Sequence, residues 1–249
     1  MSKVTIGIEA IKQGLSDIGY IVSDCIEREN HGTNWQIKFS NSGAIVNIYD
    51  TNNKKNSVVN GKCDEEEQKI LKHLVDGLKC KEIQIDPLNA EIVKRINERR
   101  EDFDIDFKRE WYSHEKKADL LHDVLCLSNN IENKDAFLVI GVDDDYQVVG
   151  ITDEIKSNDI FDYIKSKHFA GDRLPELELK KLYYQYKTIY VIVCKSSKHV
   201  PFYLTEREQK VCNYRIYTRV GDTNTPTDKS ASYADVEQLW RIHFERENE

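Results

Sequence analysis

The sequence lacks the features that would place it in a membrane or outside the cell. None of its apolar runs approaches the roughly 20 residues that a transmembrane helix needs. The N-terminal segment has no long apolar core of the secretory-signal type. The 249 residues are 39% hydrophobic and 32% charged, a composition typical of a soluble protein with one large or two small domains. We therefore expect a cytoplasmic protein.

Three common site motifs are also missing. The seven histidines show no zinc-binding spacing, and no P-loop (GxxxxGK followed by Ser or Thr) is present, which argues against a nucleotide-binding regulator. No two of the six cysteines form a CxxC pair. Scattered cysteines of this kind predict reduced thiols in a cytosolic protein: Cys25, Cys63, Cys80, Cys126, Cys194 and Cys212.

The net charge of −8 shows no excess of Lys and Arg. A nonspecific nucleic-acid coat would need such an excess, so this class is disfavoured. A nuclease stays compatible with the charge, because its acids gather at a metal ion and its basic residues lie around them.

The most informative stretch is 101–108, Glu-Asp-Phe-Asp-Ile-Asp-Phe-Lys. Its apolar and polar residues alternate, which predicts a strand that carries several carboxylates and a lysine on one face. A second strand, predicted from the apolar run 136–142, leads into the acids 143–145. Packed acids repel one another unless a divalent cation neutralises them. Two acid-bearing strands are therefore typical of a metal-dependent phosphodiester site, and the alternative is an acidic surface paired with Lys and Arg.

The pattern along the chain predicts an α+β protein. Residues 1–82 read as a small domain in the order helix, antiparallel strands, helix, with a hairpin turn at 41–43, another turn at 52–56 and a capping box from Asp64 to Glu67. A helical connector follows over 83–100, so the boundary is placed between residues 80 and 100. In 101–249 we predict helices at 116–129, 160–167 and after Ser232, and further strands at 147–151, 177–186, 188–194 and 213–219. Trp240 and His243 are expected to face the core.

The small domain 1–82 carries a weak resemblance to the TATA-binding-protein-like N-terminal domain of type-three ribonuclease H. It rests on 47–49, the polar turn and 58–62 before a helix. The resemblance implies that this domain helps to hold nucleic acid. A generic module for dimerisation or docking is the alternative.

Residues 101–249 resemble the Schlafen-type, AlbA-like domain. The matching segments come in that family's order: Glu101 with 106–108, the helix 120–129, the strand 137–144, the strand 148–151 and the Arg-x-Gly-x-x-Thr turn from Arg219. Asp106 stands where the family has Glu, and the usual Gly-Gly before the buried strand is replaced by 130–135.

The resemblance implies a metal-dependent ribonuclease with three carboxylates, which fall on Glu101, Asp106 and Asp144. These would bind Mg²⁺ or Mn²⁺, whose preferred ligands are hard oxygens. Lys108, two residues from Asp106, would hold the water or the phosphate, so Glu101, Asp106, Lys108 and Asp144 are the predicted catalytic residues.

Arg109, Arg219 and Thr223 are the predicted phosphate-binding residues. A strand-end turn with Arg, Gly and Thr can hold a phosphate through the guanidinium and backbone amides. The alternative for Arg219 is a structural ion pair with Asp222 or Asp228.

The leading hypothesis is therefore nucleic-acid processing by a metal-dependent endoribonuclease that acts on tRNA or other RNA in antiviral defence or stress. RNA is preferred to DNA as the partner, and a homodimer or a partner protein of a defence system is the expected assembly. A non-catalytic DNA- or RNA-binding module is the second hypothesis, and an ATP-binding regulator ranks last.

Overall fold

The computed structural model describes residues 7–28, 33–49 and 57–245. They divide into two compact units. The first contains the chain up to Glu98 together with Leu182–Lys187, and the second contains Arg99–Lys181 and the chain from Thr188 onwards. None of the described helices is long and apolar enough to cross a membrane.

The first unit is a four-stranded antiparallel sheet with three helices. Its elements are α1 (Ile8–Asp17), β1 (Val22–Glu27), β2 (Thr33–Phe39), β3 (Ala44–Tyr49), β4 (Ser57–Gly61), α2 (Glu65–Cys80) and α3 (Leu88–Glu98). The strands lie in the order β1-β2-β3-β4. This confirms the predicted order of helix, antiparallel strands and helix. The turn predicted at 52–56 lies outside the described residues.

The alternating pattern of β3 explains this packing. Ala44, Val46 and Ile48 are buried, whereas the residues between them are only partly buried. Side chains of successive strand residues point to opposite faces, so β3 presents one apolar face to the core. That core also contains the apolar stripes of α1 and α2.

Helix α2 begins with half of the predicted capping box. Asp64 accepts a hydrogen bond from the backbone N–H of Glu67 at 2.7 Å, as an N-cap residue should. The Glu67 carboxylate accepts instead from the hydroxyl groups of Tyr20 (3.1 Å) and Ser42 (2.6 Å). The buried glutamate therefore ties the helix to the sheet.

Asn89 explains why 182–187 belongs to the first unit. Its buried side-chain amide donates to the backbone oxygens of Asp17 (2.9 Å) and Tyr183 (2.7 Å), and its Oδ1 accepts from the N–H of Tyr183 (2.8 Å). No pattern in the sequence pointed to this arrangement.

The second unit is built on a mixed sheet, which fits the predicted α+β class. Its strands are β5 (Ile105–Lys108), β6 (Ala136–Ile140), β7 (Leu177–Tyr184) and β8 (Lys187–Cys194), in the order β5-β6-β8-β7, and the joined ends of β7 and β8 are the segment Leu182–Lys187 of the first unit. β5 pairs with β6 in parallel, and β6 pairs with β8 antiparallel. The helices are α4 (Lys117–Ser128), α5 (Ser157–Lys165) and α6 (Tyr233–Glu245), and a short ladder joins β9 (Arg219–Val220) to β10 (Thr223–Asn224).

Three sequence predictions for this unit differ from the structure. The acidic strand is regular only over β5, the segment 147–151 forms a single bridge between Val142 and Val148, and 213–218 is not a strand. In α6, Leu239 is the buried residue, while Trp240 and His243 are only partly buried.

Candidate functional site

A cluster of charged side chains lies beside β5, and we call it the charged cluster. It contains Glu101, Asp106, Lys108, Asp123 and Arg219. Asp106 and Lys108 come from β5, Asp123 from α4 and Arg219 from β9. Three carboxylates thus face two cations of the protein.

Glu101 joins the cluster because it precedes the regular strand. Its Oε1 accepts a hydrogen bond from the backbone N–H of Phe107 (3.0 Å), and its Oε2 accepts one from Arg219 Nη2 (2.6 Å). Both carboxylate oxygens of Glu101 are therefore occupied by protein donors.

Arg219 connects β9 to residues within and beside the cluster. Its side chain is only 2% exposed, and each kind of guanidinium nitrogen has a partner. Nε donates to the backbone oxygen of Asp102 (2.9 Å), Nη1 donates to Asn224 Oδ1 (2.8 Å), and Nη2 donates to Glu101. This geometry favours the structural alternative, with Glu101 as the partner in place of Asp222 or Asp228.

Asp106 is buried and incompletely paired. Its Oδ2 lies 2.8 Å from Lys108 Nζ in an ion pair and has no other donor among the described residues. Its Oδ1 lies 3.7 Å from Arg219 Nη2. Burial raises the pKa of Asp106, and the charges of Lys108 and Arg219 offset only part of that rise.

Asp123 is the carboxylate that the sequence reasoning missed. Its Oδ2 accepts from the Tyr112 hydroxyl (2.5 Å) and lies 3.7 Å from Lys108 Nζ, and its Oδ1 accepts from Asn224 Nδ2 (2.9 Å). Burial acts to raise the pKa of Asp123, but His122, Lys108 and Tyr112 together outweigh it and lower the pKa. Burial next to this anion raises the pKa of Tyr112 well above its usual value.

The ammonium group of Lys108 lies between Asp106 and Asp123. Burial acts to lower the pKa of Lys108, but the charges of Asp123 and Asp106 outweigh burial and raise it. Lys108 therefore stays protonated across the physiological pH range.

The other predicted site residues lie away from these contacts. Asp144 is exposed in the turn 143–147, where Asp143 accepts backbone hydrogen bonds from Asp145 (3.1 Å) and Gln147 (2.8 Å). Arg109 is 68% exposed and lies 3.4 Å from Asp143. Thr223 is exposed and donates to Asp222 at 2.9 Å.

The expected metal ion does not fit this arrangement of side chains. Within the described ranges, no three Asp, Glu, His or Cys side chains form a group that could hold a metal ion. Arg219 neutralises Glu101, and Lys108 stands between the other two carboxylates. The metal ligand set of Glu101, Asp106 and Asp144 thus stays a prediction from resemblance.

A sequence signal for Asp123 does exist. In the sequence, His122 and Asp123 stand between the apolar runs 120–121 and 124–127. A helix with apolar residues on every side at this point is predicted to be buried, and all its residues from Leu120 to Ser128 are. A charged residue inside such a helix must be buried and therefore paired. Asn224 and Tyr112 carry no comparable signal.

Residues 101–228 match the family described as Schlafen, AlbA_2, and this match spans just over half of the chain. No curated protein matches. Among solved structures, the crystal structure of the DIP2311 protein from Corynebacterium diphtheriae is similar at 19% identity and a TM-score of 0.35. The similarity covers 50% of this chain and only 25% of that one, and a TM-score this low carries no argument. The family match over residues 101–228 shows that the chain belongs to the Schlafen, AlbA_2 family. This membership points to a nucleic-acid-related function.

Proposed function

We propose that the second unit binds nucleic acid, with RNA as the preferred partner, by contacts to the phosphate backbone near the end of β5. The observation that carries this proposal is the position of two exposed basic side chains inside the family's region. Arg109 follows β5, an edge strand of the sheet, and Lys116 lies seven residues further on.

Both side chains are free to exchange partners. Arg109 lies 3.4 Å from Asp143, and Lys116 lies 3.2 Å from Glu110, with each cation more than half exposed. Exposed ion pairs of this kind contribute at most about 1 kcal/mol. A phosphate can therefore replace these carboxylates at little cost, whereas it cannot reach Arg219.

The test is the binding of labelled tRNA, single-stranded RNA and single-stranded DNA over a range of salt concentrations. Arg109→Ala should weaken binding about fivefold at low salt, the factor that corresponds to about 1 kcal/mol. It should also reduce the salt slope by about 0.7, the value for one contact to a single strand. Arg241→Ala is the matched control, because Arg241 is 59% exposed and paired with one surface carboxylate, Glu237.

A wild-type protein that binds none of the three nucleic acids at low salt would contradict the proposal. Equal losses in the two arginine variants would place the contact elsewhere.

The second candidate function is the metal-dependent endoribonuclease activity that the resemblance implies, and it requires Lys108 to leave Asp106 so that a metal ion can enter the charged cluster. It is favoured by Asp106, whose buried Oδ2 has no neighbouring donor besides Lys108 Nζ among the described residues, and by the Asp-x-Lys spacing to Lys108. A buried acid with a perturbed pKa is a common sign of a functional site. The expected substrate is tRNA or another RNA.

Cleavage of the same labelled nucleic acids with Mg²⁺, Mn²⁺ or EDTA tests this candidate. The variants are Asp106→Asn and Asp144→Asn, with Asp145→Asn as the exposed control in the same turn. Metal-dependent cleavage that is lost in the first two variants alone would establish the nuclease and its predicted ligands. Equal cleavage in all proteins would indicate contamination, and binding without cleavage would leave the binding function.

A further inference from the structure

We propose that Lys108 is a built-in cation of the Asp106–Asp123 pair, and that its ammonium group keeps divalent metal ions out of this pair. The inference concerns the charged cluster alone and does not depend on the binding of nucleic acid.

Lys108 lies between the two carboxylates. Lys108 Nζ lies 2.8 Å from Asp106 Oδ2 and 3.7 Å from Asp123 Oδ2. The two carboxylates are 5% and 10% exposed and come from different elements, β5 and α4. Facing carboxylates of this kind need a cation between them, and the ammonium group fills the place that a metal ion would take.

The two carboxylates are oriented so that both can contribute oxygen ligands. Tyr112 and Asn224 each donate one hydrogen bond to Asp123 and fix its orientation. Asp106 Oδ2 has the Lys108 ammonium group as its one neighbouring donor among the described residues, so the departure of Lys108 leaves this oxygen open to another cation. A hard divalent ion could therefore use oxygens from both groups once the ammonium group has left.

The two cations of the cluster differ in how firmly they are held. Arg219 is 2% exposed and is held by three partners, so it cannot move without unfolding its surroundings. The Lys108 side chain is 32% exposed and has a flexible four-carbon stem, so it can turn towards solvent. The cluster thus has one fixed and one removable positive charge.

The test measures Mn²⁺ binding to the full chain without nucleic acid. Titration calorimetry gives the affinity, and the electron paramagnetic resonance signal of free Mn²⁺ gives the amount of ion that stays unbound. Lys108→Met keeps the length of the side chain and removes the charge. It should gain one Mn²⁺ site at least tenfold tighter than any site of the wild type. This site should be lost in both Lys108→Met/Asp106→Asn and Lys108→Met/Asp123→Asn.

The controls are Lys108→Arg, which keeps the charge and should gain no site, and Lys116→Met, which removes an exposed lysine. A folded Lys108→Met variant without a new site would overturn the proposal. So would a wild-type Mn²⁺ site that Asp106→Asn removes.

A measurement on the wild type covers the case in which Lys108→Met does not fold. The Lys108 ammonium group should give a slowly exchanging nitrogen-15 NMR signal, assigned through Lys108→Arg. Millimolar Mn²⁺ should leave this signal no broader than that of a lysine in the first unit. Selective broadening at micromolar Mn²⁺ would mean that the metal ion enters the pair beside Lys108, and the proposal would fall.

Discussion

Replacement of Arg219 by methionine separates the structural from the phosphate-binding interpretation of this residue. Methionine keeps an apolar stem of similar length and removes the charge and all the donors. Glu101 then loses its ion pair and keeps only the N–H of Phe107, while Asn224 Oδ1 loses the donor from Arg219. The backbone oxygen of Asp102 loses one of two donors and keeps the N–H of Ile105 at 3.2 Å. The variant therefore leaves the Glu101 carboxylate without a cation around a site that is 2% exposed.

The size of the effect follows from burial. Removal of one partner from a buried ion pair costs about 3–5 kcal/mol. Glu101 is 22% exposed, so water can reach it in part, and we take the lower end, about 3 kcal/mol. Each kcal/mol lowers the melting temperature by roughly 2–4 °C in a protein of this size, so the melting temperature should fall by roughly 6–12 °C.

The assay is thermal and urea unfolding followed by circular dichroism and tryptophan fluorescence. Arg241→Met, at an exposed ion pair, should change the free energy of unfolding by less than about 0.5 kcal/mol. Glu101→Gln/Arg219→Met should lose clearly less than the sum of the single variants, since contacting residues couple by about 0.5–3 kcal/mol. An Arg219→Met variant with unchanged stability and weakened RNA binding would refute the structural interpretation.

Three further predictions concern buried polar groups, and unfolding experiments test each. Asp106→Asn should raise the melting temperature at pH 7 and leave it unchanged near pH 4, because the pKa of Asp106 is higher in the folded than in the unfolded chain, so its ionisation above about pH 4 costs stability. Asp123→Asn should lower stability by a constant amount from pH 8 to pH 5, because its pKa is lowered by folding and both its folded and unfolded pKa values lie at or below about 4. Asn129→Ala should cost about 3 kcal/mol or more, since it leaves backbone groups of Phe202 and Tyr217 unpaired, at roughly 1–3 kcal/mol each.

The parts of the fold that local pattern determines were predictable. The β2–β3 hairpin follows from two alternating runs around 41–43, and the start of α2 follows from Asp64, whose cap bond is present at 2.7 Å. These signals lie within a few residues of the structures they specify. The order of motifs from Glu101 to the turn after Arg219 was sufficient to indicate the family.

Backbone geometry explains the two strands that the sequence predicted wrongly. Tyr214, the second residue of 213–219, has a positive φ of 56°, which breaks the extended backbone that a strand needs. The alternating apolar and polar residues of this segment do not reveal that break. Side chains hold this segment instead, as when the Tyr217 hydroxyl donates to the backbone oxygen of Thr227 at 3.0 Å. At 147–151, the N–H groups of Val149 and Gly150 both donate to the oxygen of Gly141, which closes a loop where a strand was expected. Periodicity in a sequence carries no information on either event.

Four residues of the charged cluster, Glu101, Asp106, Lys108 and Arg219, were among the predicted site residues, whereas Asp123 and the pairing within the cluster were not predicted. Glu101 and Arg219 are 118 positions apart, and the sequence offered two acids, Asp222 and Asp228, within ten residues of Arg219. Local acids are the natural expectation for an arginine in a turn. Arg219 pairs with the distant Glu101 because Glu101 precedes the regular part of β5. There its carboxylate also accepts a hydrogen bond from the N–H of Phe107.

The pKa of Asp106 is raised and that of Asp123 is lowered, and this difference indicates different roles for the two carboxylates. Asp123 has donors on both oxygens, and its ionisation stabilises the fold, as expected of a structural carboxylate. Asp106 is buried, Lys108 Nζ is the one donor near its Oδ2 among the described residues, and its ionisation costs stability. If residue 106 served only to stabilise the fold, Asn at this position would give a more stable protein than Asp. Two acids whose surroundings push their pKa values apart are the usual arrangement where one of them acts on a ligand or a substrate. Asp106, with the removable charge of Lys108 beside it, is therefore the residue at which any chemistry of this domain should be sought first.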